Sequence, residues 1–163
     1  QEVFIHCGLY SGFPTILTAL ALANEVVAEQ GITVPDTELP DMDAEALMAM
    51  GRETMHKLHG DRAEGGYAAP DNKTTAAMYP TAVAYGYGEL WNRPGLDYRQ
   101  RMICAVAAFT AIDLLPQLTK FAQSALNTGL SREQVVEIIM QTGPYSGFPR
   151  ALNALSAFGD ALG

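Results

Sequence analysis

The sequence is short of basic charge, of cysteine and of long apolar runs, and each shortage argues against a class of function. Ten Lys and Arg stand against 18 Asp and Glu, a formal net charge of −8 at pH 7. Nucleic acid and anionic membrane surfaces are held by clustered Lys and Arg, so neither is an expected partner. The longest apolar run, Met102 to Ile112, stops at Asp113. It falls well short of the roughly 20 residues that a bilayer requires, and it reads as a buried helix. The two cysteines, Cys7 and Cys104, do not form a C-x-x-C pair, which speaks against dithiol redox chemistry and against a Cys-based zinc site. Unpaired thiols fit a reducing cytoplasm. Residues 1–30 show neither a charged n-region nor a small-residue cleavage site, so a signal peptide is not expected.

What is present is apolar mass with helical punctuation. Hydrophobic residues make up 48% of 163, enough for one ordinary core. Between Asp43 and Gly60, Leu47, Met50, Met55 and Leu58 recur at close to helical spacing, and Gly60 can end that helix. Asp97 and Gln100 have the spacing of a capping box and open a central helix whose later half is apolar almost all round. Pro116 starts the next helix, over 116–128, and Gly129 ends it. Ser131 with Gln134 is a second capping-box spacing. No stretch alternates as a half-buried strand would, so the class is all-α.

One phrase occurs twice, as GLYSGFP at 8–14 and GPYSGFP at 143–149. In each, glycine permits unusual backbone angles and proline fits only a first helical turn, so the phrase predicts a helix–break–helix joint. With an offset of 135, ten of residues 1–26 are identical to 136–161, which predicts a tandem repeat. Residues 1–30 then read as the last two helices of a partial first unit. The Pro- and Asp-rich stretch 31–43 reads as a linker, and 44–163 as a complete unit. The opening Gln1-Glu-Val-Phe-Ile reads as entry into the middle of a helix. Its apolar residues Val3, Phe4 and Ile5 should be covered by the rest of the chain or by a neighbouring chain.

The stretches GELWNRPGLDYRQRMICAVAAF and SALNTGLSREQVVEIIMQTGPYSGFPRALNAL resemble the carboxymuconolactone decarboxylase family, related to the AhpD-like fold. The resemblance covers 45–163 as one unit and 1–30 as the tail of another. It implies a helical fold that assembles into homo-oligomers, trimers or hexamers, with sites between helices and often at subunit contacts. It also implies cofactor-free acid/base decarboxylation of a small carboxylated lactone, with no metal and no organic cofactor. Such chemistry needs a group for the departing carboxylate, stabilisation of charge on the carbonyl oxygen, and a proton donor.

On that resemblance the catalytic candidates are Glu89, His6 and Arg93. The candidate substrate-binding residues are Arg99, Tyr10, Phe13, Tyr85, Trp91 and Phe121. Phe121 and Gln141 stand where relatives place histidines, and the AhpD-type C-x-x-C is missing. Read from the residues alone, each keeps an alternative. Glu89 is equally a solvated carboxylate, Arg93 a helix cap, His6 a satisfied core residue, and Arg99 one half of a structural ion pair against the helix dipole. Cys104 reads as core, and Cys7 as core or a reactive thiol. His56 and His59 share a helix face, but no third metal ligand is in view, so a surface role is expected. A non-catalytic small-molecule binder or scaffold, and a redox protein acting through a single thiol, are the alternatives to the enzyme.

Overall fold

The computed structural model describes residues 1–64 and 73–163, and all regular structure among them is helical. Helices α1 (Glu2–Ser11) and α2 (Phe13–Glu29) lead to residues 32–43, which carry no regular structure. Helix α3 (Ala44–His59) starts where the Asp43 side chain accepts a hydrogen bond from Ala46 N, and a 3-10 turn (Gly60–Glu64) follows. The short α4 (Tyr79–Thr81) runs straight into a π-helical stretch (Ala82–Glu89) and a 3-10 turn (Leu90–Asn92). Helices α5 (Tyr98–Ala111), α6 (Leu115–Asn127), α7 (Arg132–Ser146) and α8 (Phe148–Leu162) complete the chain. Both capping boxes form with reciprocal hydrogen bonds, at Asp97/Gln100 and Ser131/Gln134.

Helix α5 is the hub. Met102, Ala105, Val106 and Phe109 are sealed within it against Leu118 and Phe121 of α6, Val135 and Ile139 of α7, and Phe158 of α8. Helix α1 packs on α5 as well. The π-helical stretch lies against α3 backbone to backbone: a Cβ added to Gly51 would fall 2.2 Å from the Val83 carbonyl oxygen, and one added to Gly88 2.2 Å from that of Leu47. Only glycine permits that approach, and it holds the wide π turn in place. Such turns are rare and concentrate at functional sites.

Both repeated phrases form the expected joint. Gly12 (φ 85) and Gly147 (φ 101) adopt left-handed backbone angles, and their N–H groups donate to the Gly8 and Gly143 carbonyls at 3.0 and 2.9 Å. Ser11 and Ser146 each donate back one turn, to the Cys7 and Thr142 carbonyls, at 3.0 and 2.9 Å. The rest of the chain covers Val3, Phe4 and Ile5 only in part. Ile5 is half-buried, but Val3 and Phe4 remain exposed, because α1 turns its other face, carrying His6, toward α5. Among the described residues, no helix is long and apolar enough to cross a membrane.

Candidate functional site

The densest collection of buried polar groups lies where α1 meets α5 and the turn Leu90–Asn92. His6 is fully buried, and its ring stands edge-on to Trp91 and Tyr10, with centroids 4.8 and 5.7 Å away. Tyr10 continues the contact onto Phe109 at 4.7 Å. Arg101, also fully buried, reaches His6 Nδ1 with Nη1 at 3.4 Å and donates from Nη2 to the Arg93 and Pro94 carbonyls. Burial first, and then the Arg101 charge, lowers the His6 pKa to about 4, so the ring is neutral at pH 7. A guanidinium can only donate, so Nδ1 is the acceptor and the ring proton sits on Nε2.

Among the described residues, three buried polar atoms here make no hydrogen bond of normal geometry: His6 Nε2, Tyr10 Oη and Arg101 Nε, although the Leu90 backbone acts on His6 and the Trp91 indole on Tyr10. Burial holds the Tyr10 hydroxyl well above its ordinary pKa, so it keeps its proton. The three unpartnered groups are therefore all donors. Leaving a buried donor unpaired costs about 1–3 kcal/mol, so such a cluster suits an anionic or carbonyl oxygen.

Beside it lies an ion pair. Arg93 grips Glu2 with both arms of its fork, Nε to Oε2 and Nη2 to Oε1, each at 2.9 Å. The hydrogen bond from Arg93 holds the Glu2 carboxyl below its usual pKa in spite of burial. Gly95 leaves room for the pair, since a Cβ there would stand 3.1 Å from Glu2 Cγ. The Arg93 fork is thus filled from within the chain, and among the described residues its side chain pairs with Glu2 rather than with a helix carbonyl. Asn92 anchors the turn: its Nδ2 donates to Thr54 Oγ1 at 2.8 Å and to the Tyr87 and Gly88 carbonyls, while its Oδ1 accepts from Tyr98 Oη at 2.7 Å.

The structure brings the other candidates only partly together. Glu89 is half-buried at the end of the π-helical stretch, where its charge acts on Arg93 and Tyr85, whereas the charges that act on His6 are those of Arg101 and Glu2. Phe13 is 61% exposed and touches the site's edge through Tyr85, at a centroid distance of 6.1 Å. Trp91 is wholly buried against His6. Arg99 is exposed and makes no ion pair among the described residues, so the structural pair expected for it is not formed; the buried arginine is Arg101, two residues later.

Phe121 lies deeper, joined to the site through Trp91 and Phe109 at 6.4 and 5.0 Å. Its other face meets His59 at 4.8 Å. His59 is not the surface residue expected. Its Nδ1 bonds Ser124 Oγ at 2.7 Å and its Nε2 bonds Tyr87 Oη at 2.9 Å, and burial ahead of the Arg62 charge lowers its pKa to about 4. A histidine from α3 therefore stands against Phe121, the side chain for which the resemblance implies a histidine in relatives. Among the described residues, no group of three or more His, Cys, Asp or Glu could hold a metal ion.

Glu2 and Arg101 escaped the sequence reading. A signal for Arg101 was available, since it stands directly before the apolar run that begins at Met102, four residues after the N-cap. Glu2 had none beyond its identity with Glu137.

Residues 76–160 match the carboxymuconolactone decarboxylase family, just over half of the chain. The chain belongs to that family. Over 71 residues it is 27% identical to the 4-carboxymuconolactone decarboxylase of Acinetobacter baylyi, covering 44% of this chain and 53% of that one. Over 91 residues it is 32% identical to an uncharacterised 15.0 kDa protein of Paracoccus denitrificans, covering 52% and 68%. Over 71 residues it is 25% identical to the nitrosuccinic acid decarboxylase of Metarhizium robertsii, covering 44% and 50%. The chain spans about half the length of the two decarboxylases it matches.

Proposed function

We propose that this family member is a lyase that removes CO2 from a small carboxylated lactone by acid/base chemistry, without a cofactor. The observation that carries the reading is the set of three buried, unpartnered donors, His6 Nε2, Tyr10 Oη and Arg101 Nε. When the carbon–carboxylate bond breaks, the electron pair passes into the lactone's conjugated carbonyl and charge gathers on its oxygen. Donors already fixed toward that position, in a water-poor setting, stabilise the charge with little reorganisation. His6 takes this role as a neutral donor, since an imidazole with a pKa near 4 carries almost no transferable charge at pH 7. The substrate carboxylate competes with Glu2 for the Arg93 fork. Glu89, at the edge of the same arginine's field, handles the proton that replaces CO2. Tyr85 and Phe13 border the entrance, Trp91 forms the wall, and Phe121 keeps the far end apolar. The uncovered Val3 and Phe4 favour a homo-oligomer, and its mass in solution checks that point.

The test is CO2 release from 4-carboxymuconolactone by the wild-type protein and by His6→Gln. Removing one oxyanion donor is expected to lower kcat by roughly 10²–10³-fold while the helical signal is retained. An unchanged rate in the variant removes His6 from the mechanism. A second reading, a non-catalytic binder of small carboxylates, is favoured by the Glu2 carboxylate already seated on Arg93. Saturable binding by the wild type with no CO2 release would put that reading first.

A further inference from the structure

Two arginines and one carboxylate meet where α1 lies on α5. Arg93 is matched, because both Glu2 oxygens accept from it at 2.9 Å. Arg101 is not. It is fully buried, and among the described residues it forms no ion pair. Its Nη groups meet only neutral acceptors, His6 Nδ1 at 3.4 Å and the Arg93 and Pro94 carbonyls. Its Nε makes no hydrogen bond among the described residues. A guanidinium keeps its proton even when buried, so the charge stays. Burial works against that charge, Glu2 supports it from beside Arg93, and Arg93 opposes it. Two cations therefore share one carboxylate, and that carboxylate is held by Arg93. A buried cation without its own anion is strongly unfavourable, and a bound anion removes the penalty.

The neighbours narrow the kind of anion. His6 is flanked by Arg101 on one side and by Tyr10 on the other, with ring centroids 5.7 Å apart for the second pair. Tyr10 keeps its proton, so its hydroxyl and Arg101 Nε are two buried donors beside one neutral imidazole. Trp91 and Phe109 close the surroundings with aromatic rings, at 4.8 Å from His6 and 4.7 Å from Tyr10. One charge, two acceptor oxygens and little hydration to carry inside describe a small planar carboxylate. We propose that Arg101 is the centre of a binding site for a small monocarboxylate, separate from the Arg93 fork and bridging α1 to α5. The anion takes the place given above to the lactone's carbonyl oxygen, and in that point alone the proposal rests on the lyase reading; the binding itself requires no turnover.

The experiment titrates the full chain with sodium formate while sodium chloride holds the ionic strength constant. Trp91, the one tryptophan of the chain, lies wholly buried against His6 and reports binding through its fluorescence. Thermal unfolding reports it a second time, since a ligand of the folded state raises the midpoint. The expected result is a saturable fluorescence change and a midpoint that climbs with formate. Arg101→Gln should abolish both, with circular dichroism to confirm that the variant folds. Two milder variants decide the matter even if it does not. Tyr10→Phe keeps the ring and removes the hydroxyl, and it should weaken formate binding by roughly 10-fold or more. The double variant Glu2→Gln with Arg93→Gln removes the ion pair as a unit and should still bind formate saturably. A response that is linear in formate or matched by chloride, an unchanged affinity in Tyr10→Phe, or loss of binding in the double variant would each overturn the proposal. Formate binding without CO2 release would count against the lyase alone, and CO2 release without formate binding against this site alone.

Discussion

Tyr145 of α7 is 91% exposed, whereas its counterpart in the repeated phrase, Tyr10 of α1, has its hydroxyl sealed between His6 and Phe109. The contrast runs the length of the two helices. Gln141 lies on the surface and bonds Glu137 at 2.7 Å; their counterparts His6 and Glu2 are drawn to Arg101 and Arg93. The second helices differ in the opposite sense. Helix α8 buries Ala151, Ala154 and Phe158 against α5 and α6, while α2 buries only Ile16 and leaves Leu17, Leu22 and Val26 exposed. Near-identical local sequence thus produces the same joint twice, and the neighbours available decide what each copy does. One copy builds the core and the other brings polar groups into the site.

The largest effect that would break this comparison lies in the core. Phe158→Ala should cost about 3–5 kcal/mol in urea unfolding, as for other deleted core aromatics. Leu17→Ala on exposed α2 should stay within about 0.5 kcal/mol. Equal losses would mean that α2 is packed as α8 is.

The next effect is on pH dependence. His6 and His59 titrate near 4 in the folded chain and near 6.5 when unfolded, so the unfolded state binds more protons between those values. Stability is complete above pH 6.5 and falls as the pH drops toward 4, by an order of 1–3 kcal/mol per histidine. His6→Gln should flatten this slope, whereas Gln141→His, on the exposed helix, should leave it unchanged. Unfolding midpoints at pH 7 and pH 4.5 test both.

The smallest effect sharpens the likeness of the joints. Gly12→Ala and Gly147→Ala each place a side chain in the left-handed region, at about 1–2 kcal/mol. Similar losses in thermal unfolding are expected, since the strain is local, and a large difference would show that one joint carries tertiary load.

The sequence by itself determined the α-helices outside 79–92, their caps and both breaks, because hydrogen-bonded capping boxes, proline in the first turn and glycine at positive φ act within a few residues. It also determined the enclosure of α5, because a helix apolar all round has nowhere else to go. The family resemblance pointed to His6, Arg93 and Glu89. Only the tertiary structure decided that Glu2 fills the Arg93 fork, that Arg101 and not Arg99 is the buried cation, and that His59 backs Phe121. The pairs Glu2–Arg93 and His59–Phe121 lie 91 and 62 residues apart, and the choice of Arg101 depends on which face of α5 turns inward. Their partners are chosen by packing against elements that local spacing cannot see.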